Sequence, residues 1–162
     1  DKVIFLPEEY LAQNIANQTD VKIISWKGRC EVHERFTAKE ILAYKEQHKN
    51  IIVLAHPECS PEVVEVSDFT GSTAGMNNYV KDRQPEKVIM VTECSMSDNV
   101  AIENPNVEFI RPCNLCPHMK GITLKKIYDA LRFDQHEVID DDQIIDKARL
   151  SIDRMLEIGR QK

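Results

Sequence analysis

Ile51-Ile52-Val53-Leu54-Ala55-His56-Pro57-Glu58 is the stretch of this sequence that decides the fold. Five aliphatic residues in a row, without polar alternation, predict a strand that is covered on both faces, as in a parallel sheet. Runs of the same character span residues 3–6, 21–24, 88–91 and 107–110. Helical patterns separate these runs. The alternation predicts an α/β fold of short parallel sheets flanked by helices, that is, αβα sandwich units.

Capping signals mark where several helices begin. Thr37 and Glu40 have capping-box spacing, and Ser60 before Pro61 is typical of an N-cap followed by a proline at the first helical position. The predicted helices cover residues 7–17, 37–47, 72–81, 122–132 and 140–158, with one more starting at Ser60. No strand pattern follows residue 121, so we expect a C-terminal helical tail.

Composition limits the classes of function. The chain has 162 residues and a formal net charge of −6, which gives no basic field for nucleic acid. No apolar run approaches the roughly 20 residues of a membrane span, and the first residues lack the apolar core of a signal peptide. We expect a soluble cytoplasmic protein that binds neither nucleic acid nor membrane.

Cysteines follow four of the five predicted strands. Ligands of parallel α/β sheets bind beyond the carboxyl ends of the strands, where Cys30, Cys59, Cys94, Cys113 and Cys116 occur. An odd count of five is too sparse for a disulfide scaffold, so we expect reduced thiols. Cys30 and Cys116 lie in Gly- or Pro-marked loops with basic or imidazole neighbours, which favour a thiolate. Cys59 and Cys94 are more typical of packed, apolar thiols.

Cys113 and Cys116 form a C-x-x-C pair, which can hold zinc or an iron-sulfur cluster or act as a redox dithiol. A structural zinc site needs four ligands, and the sequence has no second such pair. One hypothesis is therefore a zinc-binding or redox-thiol α/β module that uses this pair with one or two of Cys30, Cys94 and His118.

His56 and Glu58 place an imidazole and a carboxylate on a loop stiffened by Pro57, directly after a buried strand. Such a loop can hold an acid/base pair, although a solvated surface turn is an equally good interpretation. His33 could reach the same face as Cys30, or it could be a partly buried surface residue.

Gly71-Ser72-Thr73 precedes a predicted helix. Backbone amides at a helix N-terminus, together with two hydroxyls, can bind a carboxylate or a phosphate. The simpler alternative is that Ser72 or Thr73 only caps the helix.

Taken together, these segments resemble the quinolinate synthase family, the iron-sulfur enzymes of NAD biosynthesis. The resemblance runs from end to end of the chain, in the family's order and spacing. The segments that carry it are Phe5-Leu6-Pro7, Trp26-x-Gly28-x-Cys30, Val32-His33-Glu34, Leu54-Ala55-His56-Pro57-Glu58, Gly71-Ser72-Thr73, Thr92-Glu93 and Cys116-Pro117-x-Met119.

The resemblance implies a domain plan. Proteins of this family are about twice as long and contain three similar α/β domains, arranged with pseudo-threefold symmetry around one [4Fe-4S] cluster. This chain resembles their C-terminal half. Residues 1–35 would then belong to the second domain, residues 36–116 would form the third, and residues 117–162 would be the C-terminal helices. The first domain would be absent.

The resemblance also implies the cofactor. Cys30 and Cys116 fall on two of the three cysteine ligands of the [4Fe-4S] cluster, and the third ligand would come from the missing domain. The fourth iron of such a cluster is open and acts as a Lewis acid. This chain alone would then be inactive.

For the substrates, the resemblance implies that His56 and Glu58 make contacts and that Glu58 moves protons. His33, Ser72 and Thr73 would bind substrate as well. The family condenses iminoaspartate with dihydroxyacetone phosphate and releases phosphate and water to give quinolinate. A transient contact with the enzyme that produces iminoaspartate is a further expectation.

Overall fold

The computed structural model describes residues 2–160, and the chain forms two compact units, Asp1–Lys120 and Gly121–Lys162. The strands are β1 (Lys2–Phe5), β2 (Lys22–Ser25), β3 (Ile51–Ala55), β4 (Phe69–Thr70), β5 (Lys87–Val91) and β6 (Glu108–Ile110). The helices are α1 (Glu9–Ala16), α2 (Ala38–Gln47), α3 (Pro61–Glu65), α4 (Thr73–Arg83), α5 (Cys94–Glu103), α6 (Pro117–Lys120), α7 (Leu124–Phe133) and α8 (Asp142–Arg160). Short parallel sheets flanked by helices are confirmed. The pseudo-threefold arrangement and the three domain boundaries stay predictions.

The main sheet has four parallel strands in the order β4-β3-β5-β6. β3 spans the predicted residues, and it pairs with β5 along its whole length, from Ile51 opposite Lys87 to Ala55 opposite Val91. β4 was not predicted, because two residues are too few to give a pattern. The parallel pairing puts the ends of β3 and β5, and the loops that follow them, at one edge of the sheet.

Both faces of the main sheet are buried, as the unbroken aliphatic runs predict. Val53 and Ala55 point to one face, where they pack with Ile41 and Val63. Leu54 points to the other, where the neighbours include Met76, Val80 and Val100. Alternate residues of one strand therefore enter two separate clusters, which holds the strand in register.

β1 and β2 form a separate two-stranded parallel sheet, paired from Lys2 opposite Lys22 to Phe5 opposite Ser25. The prediction that these runs are covered on both faces is wrong for the described chain, because Ile4 is 74% exposed and Ile24 is 43% exposed. A two-stranded sheet with one helix between its strands supplies too little surface to cover both faces.

Helix signals were reliable where capping chemistry was present. Thr37 and Glu40 form the predicted capping box of α2, and Pro61 begins α3. α5 was missed, because its apolar residues do not form a helical stripe. In the second unit, α7 and α8 confirm the helical tail, and the part of this unit that is described contains no strand. None of the helices among the described residues has the length and apolar character needed to cross a membrane.

Candidate active site

A cavity of about 430 Å³ lies at the edge of the main sheet where β3 and β5 end. It is lined by six of the seven residues that the sequence predicts for the site: Cys30, His33, His56, Glu58, Thr73 and Cys116. The seventh, Ser72, is not among the lining residues. These six residues come from four separate loops, which meet at this cavity.

The loop after β2 positions Cys30 through the Trp-x-Gly spacing. The Trp26 indole Nε1 donates to the carbonyls of Leu6 and Pro7, at 2.6 and 3.1 Å. A Cβ on Gly28 would lie 2.3 Å from the Trp26 ring, so this close packing needs glycine. The Glu9 amide donates to the Gly28 carbonyl at 2.8 Å and ties the loop to the start of α1. Cys30 follows two residues after Gly28, and its own carbonyl accepts from the Glu34 amide at 3.0 Å.

His33, Glu58 and His56 form one compact group. His33 Nδ1 lies 3.0 Å from Glu58 Oε2, and His56 Nδ1 lies 3.8 Å from the same oxygen. The two imidazole rings stack, with centroids 4.6 Å apart and planes inclined by 13°. The predicted pair of His56 and Glu58 is thus a triad, in which buried His33 is the nearer partner of the carboxylate. The 3.0 Å approach lacks the alignment of a full hydrogen bond.

Thr92 contacts the His33 ring of this triad on the side away from Glu58. Its Oγ1 lies 3.0 Å from His33 Nε2, and the residue is buried at the end of β5. With a carboxylate at Nδ1, the proton of a neutral ring is favoured on that nitrogen, which leaves Nε2 to accept from the hydroxyl. In the sequence, Thr92 stands out only as part of the Thr92-Glu93 segment. Its place directly after a buried strand is the signal that could have identified it.

The charges of the group follow from its contacts. His33 is the main cause that lowers the pKa of Glu58 below its usual range, against the opposing effect of burial. Burial, assisted by the neighbouring His33, lowers the pKa of His56. At neutral pH the site therefore presents an ionised carboxylate beside a neutral imidazole. This pair can accept a proton at Glu58 and make hydrogen bonds through His56.

Three cysteines are free, and two of them face the cavity. Cys30 and Cys116 are half-buried there, and burial raises the pKa of Cys30. Cys59 is fully buried, donates to the Val91 carbonyl and has its pKa raised to about 12 by burial, in agreement with the apolar role expected of it.

Cys94 and Cys113 correct the expectation of five reduced thiols, because they form a disulfide. β5 and β6 are neighbours, so the residues that follow them come together: the Cys94 amide donates to the Asn114 carbonyl at 3.3 Å. The bond leaves Cys116 without Cys113 as a thiol partner. A zinc or redox-thiol module built on Cys113 and Cys116 is therefore not favoured, and the exposed His118 lies beside Glu31 instead.

A known protein family matches nearly the whole chain. The model of the quinolinate synthetase A protein matches residues 1–157. This chain belongs to the quinolinate synthetase A family.

Curated members of this family are similar throughout the chain. A quinolinate synthase of Sinorhizobium fredii is 57% identical over 158 residues, which are 98% of this chain and 44% of that protein. Quinolinate synthase 1 of Mesorhizobium japonicum is 60% identical over 96% of this chain and 48% of its own length. A quinolinate synthase of Xylella fastidiosa is 57% identical over 97% of this chain and 46% of its own length. The chain spans less than half the length of these relatives.

The donor set fits the iron-sulfur cluster that the quinolinate synthetase A family implies. Cysteine thiolates are the usual ligands of such clusters, and Cys30 and Cys116 bring two of them to one cavity. Among the described residues, no third free cysteine lines this cavity. Cys30, His33 and Glu58 also have ligand atoms within 4.8 Å of one another, so the cavity wall is rich in metal-binding groups.

The helix α4 accounts for the Gly-Ser-Thr segment. Ser72 is its N-cap, and the Ser72 hydroxyl accepts from the Gly75 amide at 3.1 Å. Thr73, the next residue, faces the cavity. The capping alternative is therefore confirmed for Ser72, while anion binding by either hydroxyl stays a prediction. Glu93, Ser95, Met96 and Asn99 also line the cavity and were not predicted, since they belong to the missed helix α5 and its N-cap.

Proposed function

We propose that this chain is the part of a quinolinate synthase that carries most of its active site. The reaction joins iminoaspartate to dihydroxyacetone phosphate and releases phosphate and two waters, which yields quinolinate for NAD biosynthesis. One observation carries the proposal: two half-buried thiols, a carboxylate paired with two imidazoles and a threonine surround one cavity in a member of this family.

Cys30 and Cys116 would hold a [4Fe-4S] cluster, with the third thiolate supplied from outside this chain. When bound, the cluster supplies an iron with an open position that acts as a Lewis acid. With two of three thiolates, this chain alone would neither hold the cluster firmly nor turn over.

The chain's own residues would bind and deprotonate the substrates. Thr73 lies at the first turn of α4, where backbone amides and the helix dipole attract the phosphate or carboxylates of the substrates. Glu58, ionised at neutral pH, would accept a proton from the substrate carbon or nitrogen. Neutral His56 would donate a hydrogen bond to a substrate oxygen, and His33 would hold the Glu58 carboxylate in place.

We also propose that the protein is cytoplasmic and that it makes a transient contact with the enzyme that produces iminoaspartate. The two free cysteines at the cavity need a reducing compartment to stay available as ligands, and the Cys94–Cys113 disulfide is the exception to that environment. An imine hydrolyses readily in water, so contact with the enzyme that produces iminoaspartate would shorten its exposure.

The test is product formation by the full-length parent protein. The protein is purified without oxygen and supplied with iminoaspartate, generated in place, and dihydroxyacetone phosphate. Quinolinate and free phosphate are expected in equal amounts. A brown, cluster-loaded protein that forms no quinolinate would contradict the proposed reaction.

A further inference from the structure

Asn14 links the helix α1 to the loop that carries His56 and Glu58, although it does not line the cavity. Its side-chain Nδ2 donates to the carbonyls of Pro57 and Cys59, at 2.8 and 2.9 Å. An asparagine amide has two N–H donors, and both are used here. The residue is 4% exposed, so these bonds are shielded from water.

The two carbonyls that Asn14 binds belong to the residues on either side of Glu58. The Pro57–Glu58 and Cys59–Ser60 peptide planes, which enclose Glu58 and Cys59, are therefore both held by one side chain on a different element. Inside the loop, the Cys59 amide donates to the His56 carbonyl at 3.0 Å, and the Glu58 amide lies 3.3 Å from His56 Nδ1. These local bonds shape the turn, whereas the bonds from Asn14 fix where the turn lies.

Asparagine is a poor choice for this position on local grounds. It is less favourable than alanine in a helix interior, and a buried amide is destabilising unless its hydrogen bonds are made. Asn14 makes them only with the loop and not with its own helix. A residue that departs from local preference and is satisfied by a distant segment is typical of a functional position.

α1 also contacts the loop that carries Cys30 and His33. The Glu9 amide, in the first turn of α1, binds the carbonyl of Gly28, two residues before Cys30. α1 thus contacts the loop that leads to His33 at one end and the loop with Glu58 near the other. Asn14 therefore joins α1 to the loop of Glu58, whose carboxylate lies 3.0 Å from His33.

We propose that Asn14 is a positioning residue, which holds Glu58 against His33 by binding the carbonyls on both sides of it. The inference rests on the proposed function, in which Glu58 moves the proton. Small displacements of a reacting group lower the rate steeply, even when the mutated residue is outside the site. Because Asn14 does not line the cavity, its replacement should lower turnover more than it weakens substrate binding.

The experiment uses the full-length cluster-loaded protein with Asn14→Ala and the milder Asn14→Ser, which keeps one donor. Gln13→Ala, on the exposed side of the same helix, is the matched control. We expect kcat to fall by about tenfold or more in the alanine variant and less in the serine variant, while KM changes by less than about threefold. Iron content and the kinetics of the control should match those of the parent.

A second readout does not depend on activity. Amide hydrogen exchange of residues 56–60, and alkylation of buried Cys59 by iodoacetamide, should both accelerate in the two Asn14 variants and not in the control. Faster exchange with unchanged kcat would overturn the positioning role, and so would unchanged exchange at the loop. Loss of protection throughout the protein, in both variants, would overturn it in favour of a general structural role. If the parent forms no quinolinate, the proposed function fails, while the exchange measurement still reports on the loop.

Discussion

His33 Nδ1 lies 3.0 Å from Glu58 Oε2, and this contact joins the loop after β2 to the loop after β3. The first loop carries a proposed cluster ligand, Cys30, and the second carries the proposed proton acceptor. The contact also determines charge, since His33 is the main cause of the lowered pKa of Glu58. It therefore couples the proposed cluster side of the cavity to its proposed acid/base side.

Replacing Glu58 by glutamine tests the proton transfer. The variant keeps the size of the side chain and can still accept hydrogen bonds, but it cannot bind and release a proton. We expect the rate of quinolinate formation to fall by about 100-fold or more. Iron content should stay at the parent level. Glu62→Gln, an exposed change on the neighbouring helix α3, serves as the control, and a Glu58 variant with turnover near that of the parent would exclude the role.

The two hydroxyls at the start of α4 should separate into two effects. Thr73→Ala should raise the substrate KM by about tenfold with little change in Tm, because a bond to a charged acceptor is lost. Ser72→Ala should lower the free energy of unfolding by about 0.5 to 2 kcal/mol, because the Gly75 amide loses its cap. Thermal melts and steady-state kinetics of both variants measure this. A Thr73 variant with lower Tm and unchanged KM would show that Thr73 supports the helix alone.

Gly28→Ala should disturb the loop that holds Cys30. The added Cβ would lie 2.3 Å from the Trp26 ring, which is held by hydrogen bonds to Leu6 and Pro7 and cannot swing away without breaking them. We expect a lower Tm and a lower iron content. Gly159→Ala is the control, since nothing lies within 4 Å of its added Cβ and alanine favours a helix. Equal iron content and Tm in the two variants would argue against this account of the loop.

Glu8 should make stability depend on pH. It is buried at the N-cap of α1, and burial raises its pKa above the usual 4.5, against the bonds from the Leu11 and Tyr10 amides. A carboxyl with a raised pKa in the folded state binds its proton more tightly there than in the unfolded state. Its stabilising contribution is therefore present below pH 4.5 and is lost as the pH rises through the folded-state pKa.

Glu8→Gln removes this titration. The Tm of the parent relative to the variant should decrease as the pH is raised from about 4 to about 7. A relative Tm that increases over that range would mean that the amide bonds outweigh burial.

Much of the site could be predicted because parallel strands end at one edge. His56 and Glu58 follow from the end of β3 and Cys116 from the end of β6, whereas Cys30 follows β2 of the smaller sheet. The prediction of reduced thiols was wrong because it required the order of the strands in the sheet. The disulfide of Cys94 with Cys113 depends on β5 lying beside β6.

The exposed β1–β2 sheet shows a second limit of the sequence. Its aliphatic runs predict strands buried on both faces, yet Ile4 and Leu6 are 74% and 76% exposed in the described chain. An aliphatic run indicates that a strand can be buried on both faces, but it does not show whether the chain has other elements that cover those faces. Asn14 was missed for a related reason, since its partners, Pro57 and Cys59, are distant in sequence.

The central claim is that Cys30 and Cys116 hold one [4Fe-4S] cluster at this cavity. Iron, acid-labile sulfide and visible absorbance of the anaerobically purified full-length protein test it most directly, in Cys30→Ser and Cys116→Ser variants with Cys59→Ser as the control. We expect the first two variants to lose the brown cluster and the control to keep about the parent's iron content. A full cluster in either the Cys30 or the Cys116 variant would contradict it.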